Sequence, residues 1–269
     1  MESAMAKKCR VDELVVAQGL APDLATARRL IMAGEIRSGD HVWEKAGDRL
    51  SADTVLAHKS RHCRWVSRGG LKLERALAAF SMSVTGFRCL DIGASTGGFT
   101  DVLLQNGAAE VVALDVGYGL LDAKLQNDPR VVVKDRTNFR LLSDNELGEP
   151  FDLAVTDVSF ISLRQILPKA SAMIKDAGAA IALIKPQFEA AKEDVPAGGI
   201  VINQAIQLNI IMSLQGFCNA HAGLYLHAIA PVPRVDVRKN IEFLSLWKKV
   251  QNSISATQIT EMIAAAHAA

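Results

Sequence analysis

Cys89-Leu90-Asp91-Ile92-Gly93-Ala94-Ser95-Thr96-Gly97-Gly98-Phe99-Thr100-Asp101 is the stretch that decides the fold. An apolar run ends in Asp91, a loop of small residues follows from Gly93 to Gly98, and a helix-like segment opens at Phe99. The pattern is a buried strand turning into a helix through a loop with almost no side chains. Such a loop lets a ligand approach the backbone and meet the free N–H groups of a helix N-terminus. A P-loop needs Gly-Lys-Ser/Thr at its end, and none is present. A dinucleotide fingerprint needs Gly-x-Gly-x-x-Gly, whereas the spacing here is Gly-x-x-x-Gly-Gly.

Downstream, strands and helices alternate, which predicts an α/β fold with a parallel sheet of βαβ units. Strands are expected at 87–92, 110–116, 131–134, 151–155 and 179–184, with late strands at 223–230 and 240–247. Helices are expected at 71–80, 99–106 and 203–218. In an open parallel sheet, ligands bind beyond the C-terminal strand ends. Asp91, Asp115, Asp135, Asp157 and Lys185 all fall at such ends. Five ionisable residues at five successive strand ends are hard to explain as solvated loops.

The small-residue loop therefore suits a ligand without pyrophosphate, such as S-adenosylmethionine (AdoMet), although a plain βα turn has the same outline. A carboxylate at Asp115 can accept both ribose hydroxyls of a nucleoside. Asp135 is placed to meet an adenine amino group. Neither residue by itself distinguishes AdoMet from another adenosine ligand.

The reacting groups are expected nearer the fourth and fifth strands. Asp157-Val158-Ser159-Phe160 is not the Pro-Pro-aromatic motif common in amino-group methylation of bases. No Cys nucleophile, as needed for methylation at pyrimidine C5, stands near these strand ends. Asp157, Lys185, Lys72 and the late acid Glu242 remain. Two ammonium groups with two carboxylates suit deprotonation of an alcohol, once desolvation and a second cation bring a lysine towards the working pH.

The front of the chain differs in character. The 269 residues carry 30 Lys/Arg and 29 Asp/Glu, so the total charge of +1 says little. Residues 1–70, however, hold 12 basic against 9 acidic side chains, a weak pointer to nucleic acid. Val11, Leu14 and Val15 have helical spacing, and Asp23 is a plausible N-cap for a second helix that Gly34 ends. Short strands around 36–37 and 41–43 flank a Ser38-Gly39-Asp40 turn. Between Lys59 and Lys72 stand five basic residues and no acid, with Trp65 among them. That mixture suits RNA, with phosphates on the cations and a base on the ring, or a linker with a buried Trp. The expected domains are 1–58, a basic linker at 59–71, a larger domain at 72–252 and a tail at 253–269, whose Ala-rich end is expected to fray.

The four cysteines lie far apart and form no metal-like cluster, which predicts reduced thiols, no metal and a cytoplasmic setting. No apolar core segment follows Lys7, Lys8 and Arg10, and no run approaches a membrane span, so neither export nor a membrane partner is expected.

Two resemblances sharpen these expectations. Arg10-Val11-Asp12-Glu13-Leu14, Ala27-Arg28-Arg29-Leu30-Ile31-Met32-Ala33-Gly34-Glu35-Ile36 and Gly39 resemble the S4 RNA-binding domain. The chain over about 10–250 resembles the TlyA (hemolysin A-like) family, which joins an S4 domain to an FtsJ-type methyltransferase domain. The residues that carry this are Val66-Ser67-Arg68-Gly69-Gly70-Leu71-Lys72-Leu73, the stretch 90–101, Asp115-Val116-Gly117-Tyr118-Gly119, Arg136-Thr137-Asn138, Asp157-Val158-Ser159-Phe160-Ile161-Ser162-Leu163, Leu183-Ile184-Lys185-Pro186-Gln187-Phe188-Glu189 and Asn240-Ile241-Glu242.

The resemblance implies a Rossmann-like AdoMet-dependent methyltransferase acting on a cytidine ribose 2′-hydroxyl of ribosomal RNA. Its Lys-Asp-Lys-Glu tetrad falls on Lys72, Asp157, Lys185 and Glu242. Cofactor contacts are implied for Asp91, Gly93, Ala94, Ser95, Thr96, Gly97, Gly98, Phe99, Asp115, Val116, Gly117, Asp135 and Arg136. RNA contacts are expected at Arg10, Arg28, Arg29, Arg37, Lys59, Arg61, Arg64, Trp65 and Arg68. A non-catalytic RNA-binding protein and a membrane-active hemolysin are the competing readings.

Overall fold

The structure is a computed structural model that describes residues 8–39, 41–58, 64–233 and 239–268. The chain divides into two compact units, 1–68 and 69–269.

The small unit runs β1 (Lys8–Arg10), α1 (Val11–Ala17), α2 (Leu24–Met32), β2 (Ile36–Ser38), β3 (His41–Trp43), β4 (Arg49–Ser51) and β5 (Ala57–His58). β1 pairs with β4, and β2 lies between β3 and β5 in an antiparallel sheet. Val11, Leu14 and Val15 of α1 and Ala27 and Ile31 of α2 meet Ile36, Leu50 and Leu56 in one core. α2 is N-capped by Asp23, which accepts the Thr26 N–H at 2.7 Å, and Gly34 follows the C-cap with φ of 66°.

The larger unit opens with α3 (Gly69–Ala79), then β6 (Arg88–Ile92), α4 (Gly98–Gln105), β7 (Glu110–Leu114), α5 (Ala123–Gln126), β8 (Val131–Lys134) and β9 (Phe151–Thr156). It continues with α6 (Leu167–Met173), β10 (Ile174–Ile184), α7 (Pro186–Glu189), α8 (Gln204–His221), β11 (Tyr225–Pro231), β12 (Phe243–Lys248) and α9 (Ala256–Ala268). Seven strands form one sheet in the order β11-β12-β10-β9-β6-β7-β8. β6 to β10 are mutually parallel, and β12 pairs antiparallel with both β10 and β11. From β6 the chain builds β7 and β8 outward on one side, then returns to build β9 and β10 on the other. The reversal between β6 and β9 is the crevice where an open α/β sheet takes its ligand.

Three differences from the sequence expectations have simple physical causes. The expected tail packs as a helix: α9 buries Ile259, Ile263 and Ala266 in the core of the larger unit. The helix at the start of that unit begins at Gly69, not at 71, so the expected linker residues Gly69, Gly70 and Leu71 belong to α3. β10 starts at Ile174 rather than 179, because an irregular register between Ile174 and Ala179 lets it resume pairing with β9.

Candidate active site

α3 buries Leu73, Ala76 and Leu77 and leaves Lys72 off that face, as helical spacing requires. Lys72 Nζ lies 2.9 Å from Asp157 Oδ2, just past β9, and 2.8 Å from Glu242 Oε2, just before β12. Lys185, the residue after β10, brings its Nζ to 2.7 Å from the other Asp157 oxygen and 2.9 Å from Ser159 Oγ. The four predicted tetrad residues are thus one chain of contacts, Glu242–Lys72–Asp157–Lys185. Asn240 holds the Glu242 segment in place: its side chain accepts from the Val201 N–H and donates to the Gly199 carbonyl, each at 2.8 Å.

Burial disfavours the Lys72 charge, but Asp157 and Glu242 outweigh it and hold the Lys72 pKa above the ordinary lysine range. The Lys185 side chain is only 7% exposed. Phe160 sits beside this cluster with φ of 63° and 90% exposure, its ring 5.1 Å from that of Phe188. The Phe188 ring lies 6.0 Å from Lys185 Nζ, the outer reach of a cation–π contact.

The Gly-rich loop joins β6 to α4. Gly93 and Gly97 have φ of 80° and 93°, open to glycine at little strain, and a Cβ at Gly97 would stand 2.3 Å from Leu125 Cδ1. The loop is braced more fully than its sequence suggests. The N–H groups of Gly93 and Ala94 both donate to the Leu114 carbonyl, and that of Ser95 donates to Asp115 Oδ2 at 2.9 Å. Asp115 Oδ1 accepts the Gly117 N–H at 2.8 Å, and Asp135 accepts the Gly119 N–H at 3.0 Å. Each carboxylate oxygen keeps a second lone pair for a ligand hydroxyl or amine. α4 has Gly97 as N-cap and no side-chain cap.

Two of the implied cofactor contacts need correction. Asp91 is 1% exposed, inside β6 in register with Ala113 and Val155, and accepts from Thr100 Oγ at 2.7 Å. It ties α4 to the sheet beneath the loop. Burial, with a smaller push from Asp115 and Asp157, raises its pKa to about 7. The Phe99 side chain is likewise in the core, so only its backbone faces the loop. Val116 and Tyr118, by contrast, are 71% and 68% exposed, and the Arg136 guanidinium covers the Tyr118 ring at 4.3 Å.

The donor set fits an adenosine ligand with a cationic sulfur centre. Between Asp91 and Gly119 there is no Lys or Arg to meet a phosphate, while Asp115, Asp135 and Asp157 line successive strand ends. Among the described residues no group of His, Cys, Asp and Glu could hold a metal ion.

The small-unit expectations fare differently. Arg10 donates two hydrogen bonds of 2.8 Å to Asp12, and Arg28 adds a third at 2.9 Å. The Asp12 side chain is fully buried, and these guanidiniums hold its carboxyl far below the usual range. Two of the expected phosphate-binding cations are therefore structural partners of a buried acid. Arg68 donates to the Ala33 carbonyl at the end of α2, while Arg37 is exposed on β2. Trp65 is 4% exposed with the Arg64 guanidinium 4.6 Å from its ring, so it has no open face on which a base could stack. Lys59 and Arg61, also expected to contact RNA, lie outside the described residues.

Sequence reasoning missed the roles of Ser159, which accepts from Lys185, and Glu189, which accepts from Ser162 Oγ and the Leu163 N–H at 2.6 Å each. Their signal was spacing alone, two residues past Asp157 and four past Lys185.

The pattern of the FtsJ-like methyltransferase family matches residues 65–232. The chain is 44% identical over 240 residues to the "Putative rRNA methyltransferase YqxC" of Bacillus subtilis, covering 88% of this chain and 85% of that protein. It is 42% identical over 248 residues to the "16S/23S rRNA (cytidine-2'-O)-methyltransferase TlyA" of Mycobacterium tuberculosis, covering 92% of each. Among solved structures, a "Putative hemolysin from Streptococcus thermophilus" is 39% identical, with a TM-score of 0.76 over 98% of this chain and 97% of that one. No described helix is long and apolar enough to cross a membrane.

Proposed function

The chain belongs to the FtsJ-like methyltransferase family, and from that premise we propose that it moves a methyl group from AdoMet to a cytidine ribose 2′-hydroxyl of ribosomal RNA. The observation that carries this reading is the Lys185–Asp157–Lys72–Glu242 contact chain at the strand ends. Two lysines sharing a carboxylate suit an alcohol substrate, and the M. tuberculosis relative is named for a cytidine 2′-hydroxyl.

Lys185 is the base. Lys72 is held charged between two carboxylates, so it cannot take a proton at neutral pH. Lys185 accepts the hydroxyl proton on its amine lone pair, the hydroxyl oxygen bonds to the methyl carbon, and the electrons of the broken carbon–sulfur bond stay on sulfur. Lys72 and Glu242 hold the ribose. AdoMet supplies the activated methyl group, and Asp115, Asp135 and the Gly93–Gly98 backbone hold its adenosine part. Phe160 offers an exposed ring beside the site for a splayed base. The small unit, through Arg29 and Arg37 among others, supplies sequence-independent attraction to the RNA backbone.

The test is transfer of labelled methyl groups to purified 30S and 50S subunits. Label at one ribose, resistant to alkaline cleavage and lost in Lys185→Ala with AdoMet binding retained, is the expected result. Equal labelling by Lys185→Ala would overturn the assignment.

A further inference from the structure

Lys185 Nζ meets two acceptors of different kinds. Asp157 Oδ1 is 2.7 Å away, yet the contact lies off the direction of a hydrogen bond, and that buried oxygen has no hydrogen-bond donor among the described residues. The only hydrogen bond Nζ donates, among the described residues, goes to Ser159 Oγ at 2.9 Å. Asp157 thus supplies charge, and Ser159 supplies direction.

Ser159 stands on an irregular loop where serine would ordinarily be free to move. Two features fix it. Phe160, the next residue, takes φ of 63°, a left-handed conformation that a bulky residue adopts only when its surroundings impose it. Glu189 then closes the loop onto the segment that carries Lys185. Its two carboxylate oxygens accept from Ser162 Oγ and from the Leu163 N–H, each at 2.6 Å. Two short chain segments, 159–162 and 185–189, are therefore joined at both ends: Lys185 to Ser159 at one, Glu189 to Ser162 at the other.

We propose that Ser159 is a positioning residue that aims the Lys185 amine at the substrate hydroxyl, and that Glu189 is the latch that keeps Ser159 in place. This rests on Lys185 being the base. A neutral amine has two N–H groups and one lone pair. One N–H on Ser159 Oγ sets the rotation of the amine about its Cε–Nζ bond; of the two remaining tetrahedral corners, the Asp157 charge draws the second N–H to the nearer one, which leaves the lone pair at the other. The hydroxyl proton moves onto that pair, the oxygen bonds to the methyl carbon, and the carbon–sulfur electrons remain on sulfur. Without Ser159 the amine is free to turn onto Asp157 and its lone pair loses a fixed direction. Misaiming of this kind lowers the rate of the transfer step rather than the binding of either substrate.

The experiment is single-turnover transfer of tritiated methyl from AdoMet to 30S and 50S subunits by the full-length chain. Wild type is compared with Ser159→Ala, Ser159→Thr, Glu189→Ala, Glu189→Gln, the Ser159→Ala/Glu189→Ala double variant and Lys185→Ala, with AdoMet affinity measured for each. Ser159→Ala is expected to lower the transfer rate about 10- to 100-fold with AdoMet affinity within about two-fold. Ser159→Thr, which keeps the hydroxyl, restores most of the rate. Glu189→Ala falls to the same level, Glu189→Gln loses less, and the double variant is no slower than the slower single. Two results overturn the inference while leaving the base assignment intact: a Ser159→Ala rate within two-fold of wild type beside a dead Lys185→Ala, or Ser159→Ala losing AdoMet affinity in step with activity. An active Lys185→Ala, or a wild type that labels neither subunit, overturns the functional reading and this inference with it.

Discussion

Lys72 and Lys185 hold opposite oxygens of one carboxylate: Asp157 Oδ2 is 2.9 Å from the Lys72 nitrogen, and Oδ1 is 2.7 Å from that of Lys185. Two ammonium groups that would otherwise repel are bridged by a single charge. Asp157→Asn removes that charge without changing the side-chain outline. A drop of about 10²- to 10³-fold in kcat is expected, with AdoMet affinity changed by only a few-fold. Calorimetric titration with AdoMet beside the methyl-transfer assay separates the two. Parallel loss of binding and rate would move Asp157 from the reacting centre to the ligand site.

The Lys72 ionisation lies above the working pH range. Its folded-state pKa is raised, so its charge and the stability it brings are fully present below the ordinary lysine value and are lost only as pH rises through the higher folded one. Between about pH 6 and 9 Lys72 therefore does not titrate. Lys72→Arg, which keeps the charge at all accessible pH, should leave the shape of the pH–kcat curve in that window unchanged, whatever it does to the height. A curve that changes shape in that window on Lys72→Arg would make Lys72 the base and not Lys185.

Asp91 makes a pH prediction about stability in a lower window. Its folded pKa is raised to about 7 from an ordinary carboxyl value, chiefly by burial. The folded state then binds more protons than the unfolded one between about pH 4 and pH 7, so this group's contribution falls as pH rises through that window. Asp91→Asn keeps an acceptor for Thr100 and removes the titration. The variant should gain on wild type by up to about 4 kcal/mol from pH 4 to pH 7, since one pKa unit is about 1.4 kcal/mol. Urea melts at several pH values give the comparison. Parallel stability curves for the two proteins would mean that Asp91 is ionised and satisfied in the fold.

Gly97→Ala probes the loop that caps α4. The φ of 93° is strained for alanine, and the new Cβ would meet Leu125 and Leu121 side-chain ends at 2.3 and 2.7 Å. Those ends can rotate away, so the backbone term dominates, about 1–2 kcal/mol. AdoMet affinity should fall about ten-fold, because the loop backbone moves with its helix. Gly198→Ala is the control, with open space around it and an ordinary φ. Equal effects of the two substitutions would deny the loop any special role.

Periodicity located most of this fold. The parallel strands are apolar runs bounded by loops, and β7 to β10 each end beside an ionisable residue: Asp115, Asp135, Asp157 and Lys185. Lys72, Asp157, Lys185 and Glu242 were visible as candidates because their residue types are costly to bury and stood next to apolar strands or helices. What the sequence hid was depth. Asp91 sits one residue before the end of β6, as the expected strand at 87–92 has it, but its carboxylate is buried and accepts from Thr100 beneath the loop. Trp65 looked like a stacking platform among cations but is buried, a distinction that only tertiary contacts make. α9 was lost to its Ala-rich end, although Ile259, Ile263 and Ala266 recur at helical spacing and are buried. The partners of Ser159 and Glu189 were hidden for a further reason: they are 26 and 27 residues away in sequence and are set by loop closure.

The small unit offers a last test, because its basic residues divide into structural and exposed ones. Asp12 is fully buried and takes three hydrogen bonds from Arg10 and Arg28, whose guanidiniums are themselves partly exposed. Its folded pKa is depressed, so its contribution is present above the ordinary carboxyl value and is lost as pH falls towards the folded one. Asp12→Asn should destabilise this unit at neutral pH by about 1–3 kcal/mol, the range for a charged hydrogen-bonded pair whose cations can escape to water. The difference from wild type should shrink below about pH 4. Hydrogen exchange in peptides from α1 and α2 reports this unit without interference from the larger one. Arg37→Ala, on an exposed strand position, should leave that exchange unchanged and instead reduce the salt slope of RNA binding by about one. If Arg28→Ala changes only the salt slope, and exchange in α1 and α2 stays at the wild-type rate, then Arg10 alone satisfies Asp12 and Arg28 serves the RNA directly.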